Sequence, residues 1–254
     1  MNARLLRVAR GGAVLLFWLA LWALLARLVG RELLLPSPAR VLRALVSLAS
    51  TEVFWQNVAR SLLRVTAGLV LATVLGVLLA ALTQASRLAR ALLAPLMTLI
   101  KSTPVASFII LALVWLGRDI VPLCITALMV LPVVWANVSA GLAGQDKELL
   151  ELARVYRLPR RRVLQRITVP AVLPHFQAAL RSALGMGWKA GIAAEVLTVP
   201  QVSIGRRLYE AKLYLETAEL FAWTLTVVLL SLLIEKLLLR LVGRIGPKGG
   251  TAGA

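Results

Sequence analysis

The residues that build reaction chemistry are scarce in this chain. Of 254 residues, one is cysteine and one is histidine. Cys124 lies within an apolar run, so an intrachain disulfide is excluded, no Cys/His cluster offers metal-ligand spacing, and the thiol reads as packing. His175 stands alone at the edge of an apolar run and is expected to be structural. No Ser-His-Asp grouping, paired-carboxylate site or GxxxxGK(S/T) phosphate loop occurs, so the chain is expected to have no catalytic residue, no metal and no bound cofactor of its own. Acidic residues are few as well, 11 against 29 Lys and Arg, and charged residues of all kinds make up only 16%. Long strand-like alternation is missing throughout, which leaves helices as the architecture.

What fills the chain is apolar. Hydrophobic residues reach 60% and the mean hydropathy is +0.86, a balance that polar surface could not cover in water. A bilayer is the solvent that fits. The formal net charge of +18 would suggest nucleic acid in a soluble protein. In an apolar chain, excess Lys and Arg instead collect in cytoplasmic loops and set orientation, so no nucleic-acid partner is needed.

Crossing a hydrocarbon core takes about 20 mostly apolar residues at ~1.5 Å rise each. Residues 11–30, 58–83, 89–116, 120–142, 172–198 and 218–242 meet that test, giving an all-α integral membrane protein of about six transmembrane helices in a single domain, 1–254. The basic stretch Met1 to Arg10 before the first run looks superficially like a signal peptide. The run is long enough to span and lacks a small-x-small cleavage site, so a retained helix is expected. Arg4, Arg7 and Arg10, then Arg87 and Arg90, then Lys147 to Arg166, then Arg240, Arg244 and Lys248 all fall on one side if six helices alternate. That side, with both termini, is expected to be cytoplasmic. A basic, flexible tail is expected over about 243–254.

Two segments on the other side look structured. Ser37 can cap a helix with Pro38 at its first position, and Leu42, Leu45, Val46 and Ala49 then form one apolar stripe on a short surface helix. Residues 200–217 read as an outer loop with partial helix.

A membrane anchor has no need for a long patterned insertion, yet residues 144–170 form one. Asp146 can cap a helix running to about Tyr156, on which Leu149, Leu152, Ala153 and Tyr156 share a face. Leu158-Pro159 breaks it, an arginine-rich second helix follows from Arg160 to Arg166, and Pro170 and Pro174 mark the return into the membrane. The expected result is a helix-turn-helix knob.

The spacing Glu151-Leu152-Ala153, Ile167, Val169, Pro170 resembles the EAA loop of ABC-importer permeases, whose pattern is Glu-Ala-Ala, a Gly six residues after the Glu, then Ile-x-Leu-Pro. Leu35-Pro36-Ser37-Pro38, Arg64 with Gly68, Trp115-Leu116-Gly117 and Ala194-Glu195 extend the similarity along nearly the whole chain, to the nitrate, sulfonate and taurine branch. The resemblance implies a type I permease fold and a coupling helix docked on an ATP-hydrolysing subunit. It places Glu151 and Ala153 at the contact, with Leu152, Tyr156 and Leu158 around them and Pro159, Ile167 and Pro170 completing the loop. It also implies two permeases, here a homodimer, with two ATPases that use ATP and Mg, and an extracytoplasmic solute-binding protein, in the bacterial cytoplasmic (inner) membrane. Arg157 departs from the pattern by standing where the family has glycine.

Charges inside spans are costly and usually face protein or water. Lys101 and Lys189 would favour an anionic solute if they line the pathway, and Glu195 joins them as a pathway candidate. The bland alternative is that Lys101 snorkels near Pro104 and Lys189 neutralises a neighbouring helix. Gly187 and Gly191, in GxxxG spacing, serve either packing within one subunit or a dimer contact. The competing function is a secondary transporter or channel uncoupled from any ATPase; it would show related halves or proton-relay charges, and neither is evident. A membrane-bound enzyme lacks the necessary residues.

Overall fold

A computed structural model describes residues 3–245, and every regular element among them is helical. The first helix, α1 (Ala3–Val29), leads to a short amphipathic helix, α2 (Pro38–Ala49), and then to the longest, α3 (Glu52–Ala85). The pair α4 (Arg87–Ser102) and α5 (Val105–Trp115) is followed by α6 (Val121–Ala143). The insertion contains α7 (Lys147–Val155) and α8 (Arg160–Val163). A five-residue π-helical turn, Leu164–Thr168, then runs directly into α9 (Val169–Thr198). The chain ends with α10 (Ile204–Leu213) and α11 (Thr217–Ile245).

Four helices, α1, α3, α6 and α11, are each long and apolar enough to span a bilayer, and α4 with α5 makes a fifth only as a pair bent by 108°. The expected third span, 89–116, is therefore broken. Thr103 closes α4, its N–H donating to the Leu99 carbonyl, and Pro104 opens α5 from an extended conformation, so the chain turns where proline cannot continue the helix. The expected fifth span, 172–198, falls on α9, which is long enough but is not among the helices apolar enough to cross a bilayer, because His175, Gln177, Arg181, Lys189 and Glu195 dilute its apolar character. His175, Arg181 and Lys189 are exposed and only Glu195 is buried, so the polar residues lie mostly off the packed side of the helix. Ala179, Ala183, Gly187, Trp188, Gly191 and Ala194 are all buried against neighbouring helices.

The core is the triple packing of α3, α6 and α9. Small residues set the spacing, since without a hydrophobic drive between helices it is close backbone approach that holds them. A β-carbon on Gly68 would meet the Leu123 carbonyl and Thr126, and one on Gly191 would meet Val65 and the Thr126 hydroxyl. The GxxxG pair of α9 thus packs within the subunit, Gly187 against Val130 and Leu69.

On α2, Ser37 has cap-like backbone and Pro38 opens the helix, but the Ser37 side chain makes no cap bond. The buried side of α2 is Val41 with Leu45, Leu48 and Ala49 packing on Phe54 and Trp223, while Leu42 and Val46 point outward. The apolar stripe is thus turned about one position from the expected one. α11 runs through Gly243 to Ile245, so the start of the expected tail is helical. The rest of that tail, 246–254, lies outside the described residues.

Candidate coupling knob, lysine cavity and buried ionic cluster

The knob is built from local bonds. Asp146 Oδ1 accepts the N–H groups of Glu148 at 2.9 Å and Leu149 at 3.3 Å, satisfying two donors that the first turn of α7 leaves free. At the other end, the Leu158 N–H donates to the Ala153 carbonyl at 2.9 Å and the Arg157 N–H to Arg154 at 3.0 Å. That pair of bonds is a Schellman closure, and its pivot residue must adopt a left-handed backbone. Arg157 does so, with φ of 49°. The glycine of the family pattern has a physical reason there, and this chain makes the same turn with a side chain in the way.

Pro159 then caps α8 in extended conformation. The arginine-rich segment does not stop before Pro170; it continues through the π turn into α9. Pro170 has no N–H to give, and the wider turn just before it spares the Arg166 carbonyl that its ring would strike in a tight helix, while Pro174 lies inside α9 itself.

Around the knob, Glu151, Leu152, Tyr156, Arg157, Leu158, Pro159 and Pro170 are exposed, Ile167 is half-buried, and Ala153 is 4% exposed. Ala153 is thus turned into its own chain, while Leu149, Leu152, Val155 and Tyr156 present apolar surface with arginines beside them.

The second region lies where α4 and α5 break against α9. A cavity of about 570 Å³ is lined by Lys101, Thr103, Val105, Met129, Met186 and Lys189, among others. Its walls are almost wholly apolar apart from the two lysines. Both ammonium groups are on exposed residues, and no acidic partner meets either of them among the described residues.

Glu195 is not part of that lining. It is fully buried in a third region, at the end of the bundle opposite the knob. Its Oε2 accepts from Ser61 Oγ at 2.6 Å and from the Gly205 N–H at 3.2 Å, and its Oε1 accepts from Arg64 Nη1 at 3.3 Å. Ser61 Oγ in turn accepts from the Ile204 N–H at 2.9 Å, and Arg64 Nη1 also donates to the Val202 carbonyl at 2.7 Å. The carboxylate therefore sits on the N-terminal turn of α10, where free N–H groups and the helix dipole favour an anion. Gly205 is the residue that allows this approach, since any β-carbon would collide with the Glu195 side chain and backbone. Beside it Val199, a β-branched residue, takes φ of 48° to end α9 just before Pro200. Ser61, Arg64 and Glu195 are too far apart in the sequence for spacing to suggest this cluster; Ser61 and Arg64 lie three apart on a single helix face, and Arg64 and Glu195 both fall among the positions that carry the family resemblance.

Several long apolar helices and a charged helix-turn-helix insertion give the described residues the architecture of a membrane-spanning subunit. Residues 68–248 match the family described as "Binding-protein-dependent transport system inner membrane component", and the chain belongs to that family, the permease subunits of ABC transporters. A Brucella melitensis protein described as "Probable ABC transporter permease protein" is 31% identical over 206 residues, covering 80% of this chain and 83% of the relative. The taurine transport system permease protein of Escherichia coli is 26% identical over 224 residues, 86% of this chain and 81% of its own length. Among solved structures, a chain of a bacterial ABC transporter involved in the import of the acidic polysaccharide alginate superposes with a TM-score of 0.59 at 17% identity, covering 95% of this chain and 99% of that one, which shows the shared fold.

Proposed function

We propose that this permease imports a small organic or inorganic anion such as a sulfonate, taurine or nitrate, with the α7–α8 knob coupling the pathway to a separate ATPase. The observation that carries the anion reading is the pair of lysines, Lys101 and Lys189, facing one apolar cavity without an acidic partner. In a low-dielectric cleft an uncompensated pair of cations attracts a solute of opposite sign more strongly than either would in water. The taurine relative supports the same class of solute.

The knob supports coupling because it leaves Leu149, Leu152, Val155 and Tyr156 uncovered at a water-facing loop, an apolar patch that a partner surface would bury. Glu151 and the neighbouring arginines supply the polar rim. In this reading the knob and both termini are cytoplasmic, the membrane is the bacterial inner membrane, and a second copy of the chain completes the pathway along the open face of α9. Two ATPase subunits supply ATP and Mg chemistry, and an extracytoplasmic binding protein delivers the solute to the Glu195 end.

The test is reconstituted import with solute-stimulated ATP hydrolysis. Lys189→Leu is expected to weaken import of the anion about tenfold or more while leaving basal hydrolysis intact, and an unchanged affinity and specificity would remove Lys189 from the pathway. Glu151→Ala is expected to abolish stimulation of hydrolysis by loaded binding protein, and coupled activity that survives it would overturn the knob assignment.

A further inference from the structure

Arg64 holds partners of two unlike kinds. Through Nη1 it binds Glu195 and the Val202 carbonyl, both within the bundle, and through Nη2 it binds Asp119 Oδ1. The exposure of the three side chains differs sharply: 0% for Glu195, 14% for Arg64 and 56% for Asp119. A guanidinium keeps its charge and offers five donors in a rigid fork, so it can retain two partners while a third departs. The two acids would respond in opposite ways to separation. Glu195, stripped of Arg64, would be a charge stranded out of water, whereas Asp119 exchanges its partner for water at little penalty.

Asp119 belongs to the short connection 116–120 that carries the outer end of α5 into α6. The other hydrogen bonds of that connection run to its near neighbours in sequence: Leu116 to Ala112, Ile120 and Val121 to Gly117, Cys124 to Ile120. At its inner end α5 is joined to α4 by the 108° break, and Val105 at that end lines the lysine cavity. One helix thus carries a wall of the cavity at one end and a single exposed ionic bond to α3 at the other.

We infer that the Arg64–Asp119 pair is a releasable clasp that positions the outer end of α5 during transport, with Glu195 and Val202 as its permanent anchorage. When the clasp is closed the outer end of α5, which packs on α6 and α9, is tied to α3 through Arg64 and access to the cavity from the side opposite the knob is restricted; when Asp119 lets go, α5 swings on the Thr103–Pro104 break and the cavity opens there. Arg64 acts as a positioning residue and has no contact with solute. The inference rests on the cavity being part of the pathway, as proposed above.

The experiment uses the assembled transporter in proteoliposomes, with Cys124→Ser as background and Ala193→Cys, on the cavity lining, as reporter. A membrane-impermeant methanethiosulfonate is applied from the side facing the binding protein, without ATP. Asp119→Asn is expected to label at least fivefold faster than its parent, with an unchanged thermal unfolding midpoint. Asp119→Glu, which keeps the charge, is expected to stay within twofold of the parent. High salt is expected to speed labelling of the parent but not of Asp119→Asn, since screening weakens only a pair that exists. Equal rates in parent and Asp119→Asn overturn the clasp alone. Equally fast labelling of the Asn and Glu variants, or a lowered unfolding midpoint in Asp119→Asn, overturns it too, because packing and not charge would then be the cause. A reporter silent in every variant overturns the pathway reading and the clasp with it.

Discussion

The two ends of the bundle are held by opposite means. At the knob, every bond that shapes α7 connects residues two to five apart, from Asp146 to Glu148 and Leu149 and from Leu158 back to Ala153. At the Glu195 end, the bonds made by Ser61 and Arg64 to α9, α10 and the connection between them join residues 131 to 143 apart, and only the Gly205 N–H to Glu195 bond is local. The first kind of structure keeps its shape when the whole unit is displaced, because nothing in it depends on distant partners. The second kind registers three helices against one another and cannot shift without exposing or stranding a charge. A permease needs both, a part that a partner can push and a part that stays put.

Removing either side of the long-range cluster should have the largest effect. Arg64→Ala leaves Glu195 buried and unpaired, with an expected loss of about 3–5 kcal/mol, read as a lowered unfolding midpoint or loss of monodisperse protein in detergent. If Arg64→Ala unfolds no earlier than the parent, the two ends of the bundle are not held by different means. Next comes overpacking of the helix triad. Gly191→Val must displace Val65 and Thr126 and is expected to lose about 1–3 kcal/mol, whereas Gly185→Ala, with open space around the added carbon, should be near neutral in the same melt.

Changes in the knob should be smaller and local. Asp146→Ala removes the cap of α7 at about 1 kcal/mol, so faster amide exchange over 147–153 is expected while the global midpoint stays put. Arg157→Gly should do the reverse, gaining up to about 1 kcal/mol by relieving a left-handed arginine, seen as slower exchange at Leu158 and at Arg157's own position. A change in global unfolding from either variant would show that the knob is tied to the core more tightly than its bonds suggest.

Legibility in the sequence followed the same division. The knob could be read because its determinants are close in sequence: the Asp146 cap, the break at Leu158-Pro159 and the spacing from Glu151 to Pro170 need no knowledge of tertiary structure. Arg157 could even be marked as the odd residue, and its φ of 49° supplies the reason. The positions of the helices also followed from apolar run length. What run length could not show was the 108° break within the third run, since α4 and α5 are as apolar as a straight span of equal length. In the sequence Glu195 groups with Lys101 and Lys189 because all three are charges in apolar surroundings. Composition carries no information about which face such a charge takes, and only the packing of α3 against α9 and α10 separates a clamped acid from two open cations. The stripe on α2 differs by one position from the expected one for a similar reason: a helix on a membrane surface has apolar neighbours on both sides, so hydropathy alone does not say which side is protein.

The π turn at 164–168 makes α8 and α9 one uninterrupted rod. Its extra residue shifts the angular phase by about 100°, the share of a turn that one residue occupies in an ordinary helix, so the arginine side of α8 need not continue as the buried side of α9. From Val169 to Thr198 the rod is roughly 45 Å long at 1.5 Å per residue, and it reaches from the base of the knob to Glu195. It therefore works as a strut with a wrist at one end and a bolted foot at the other. A twist at the wrist would travel along that axis and meet, 26 residues beyond Val169, the ionic cluster at Glu195 that resists it.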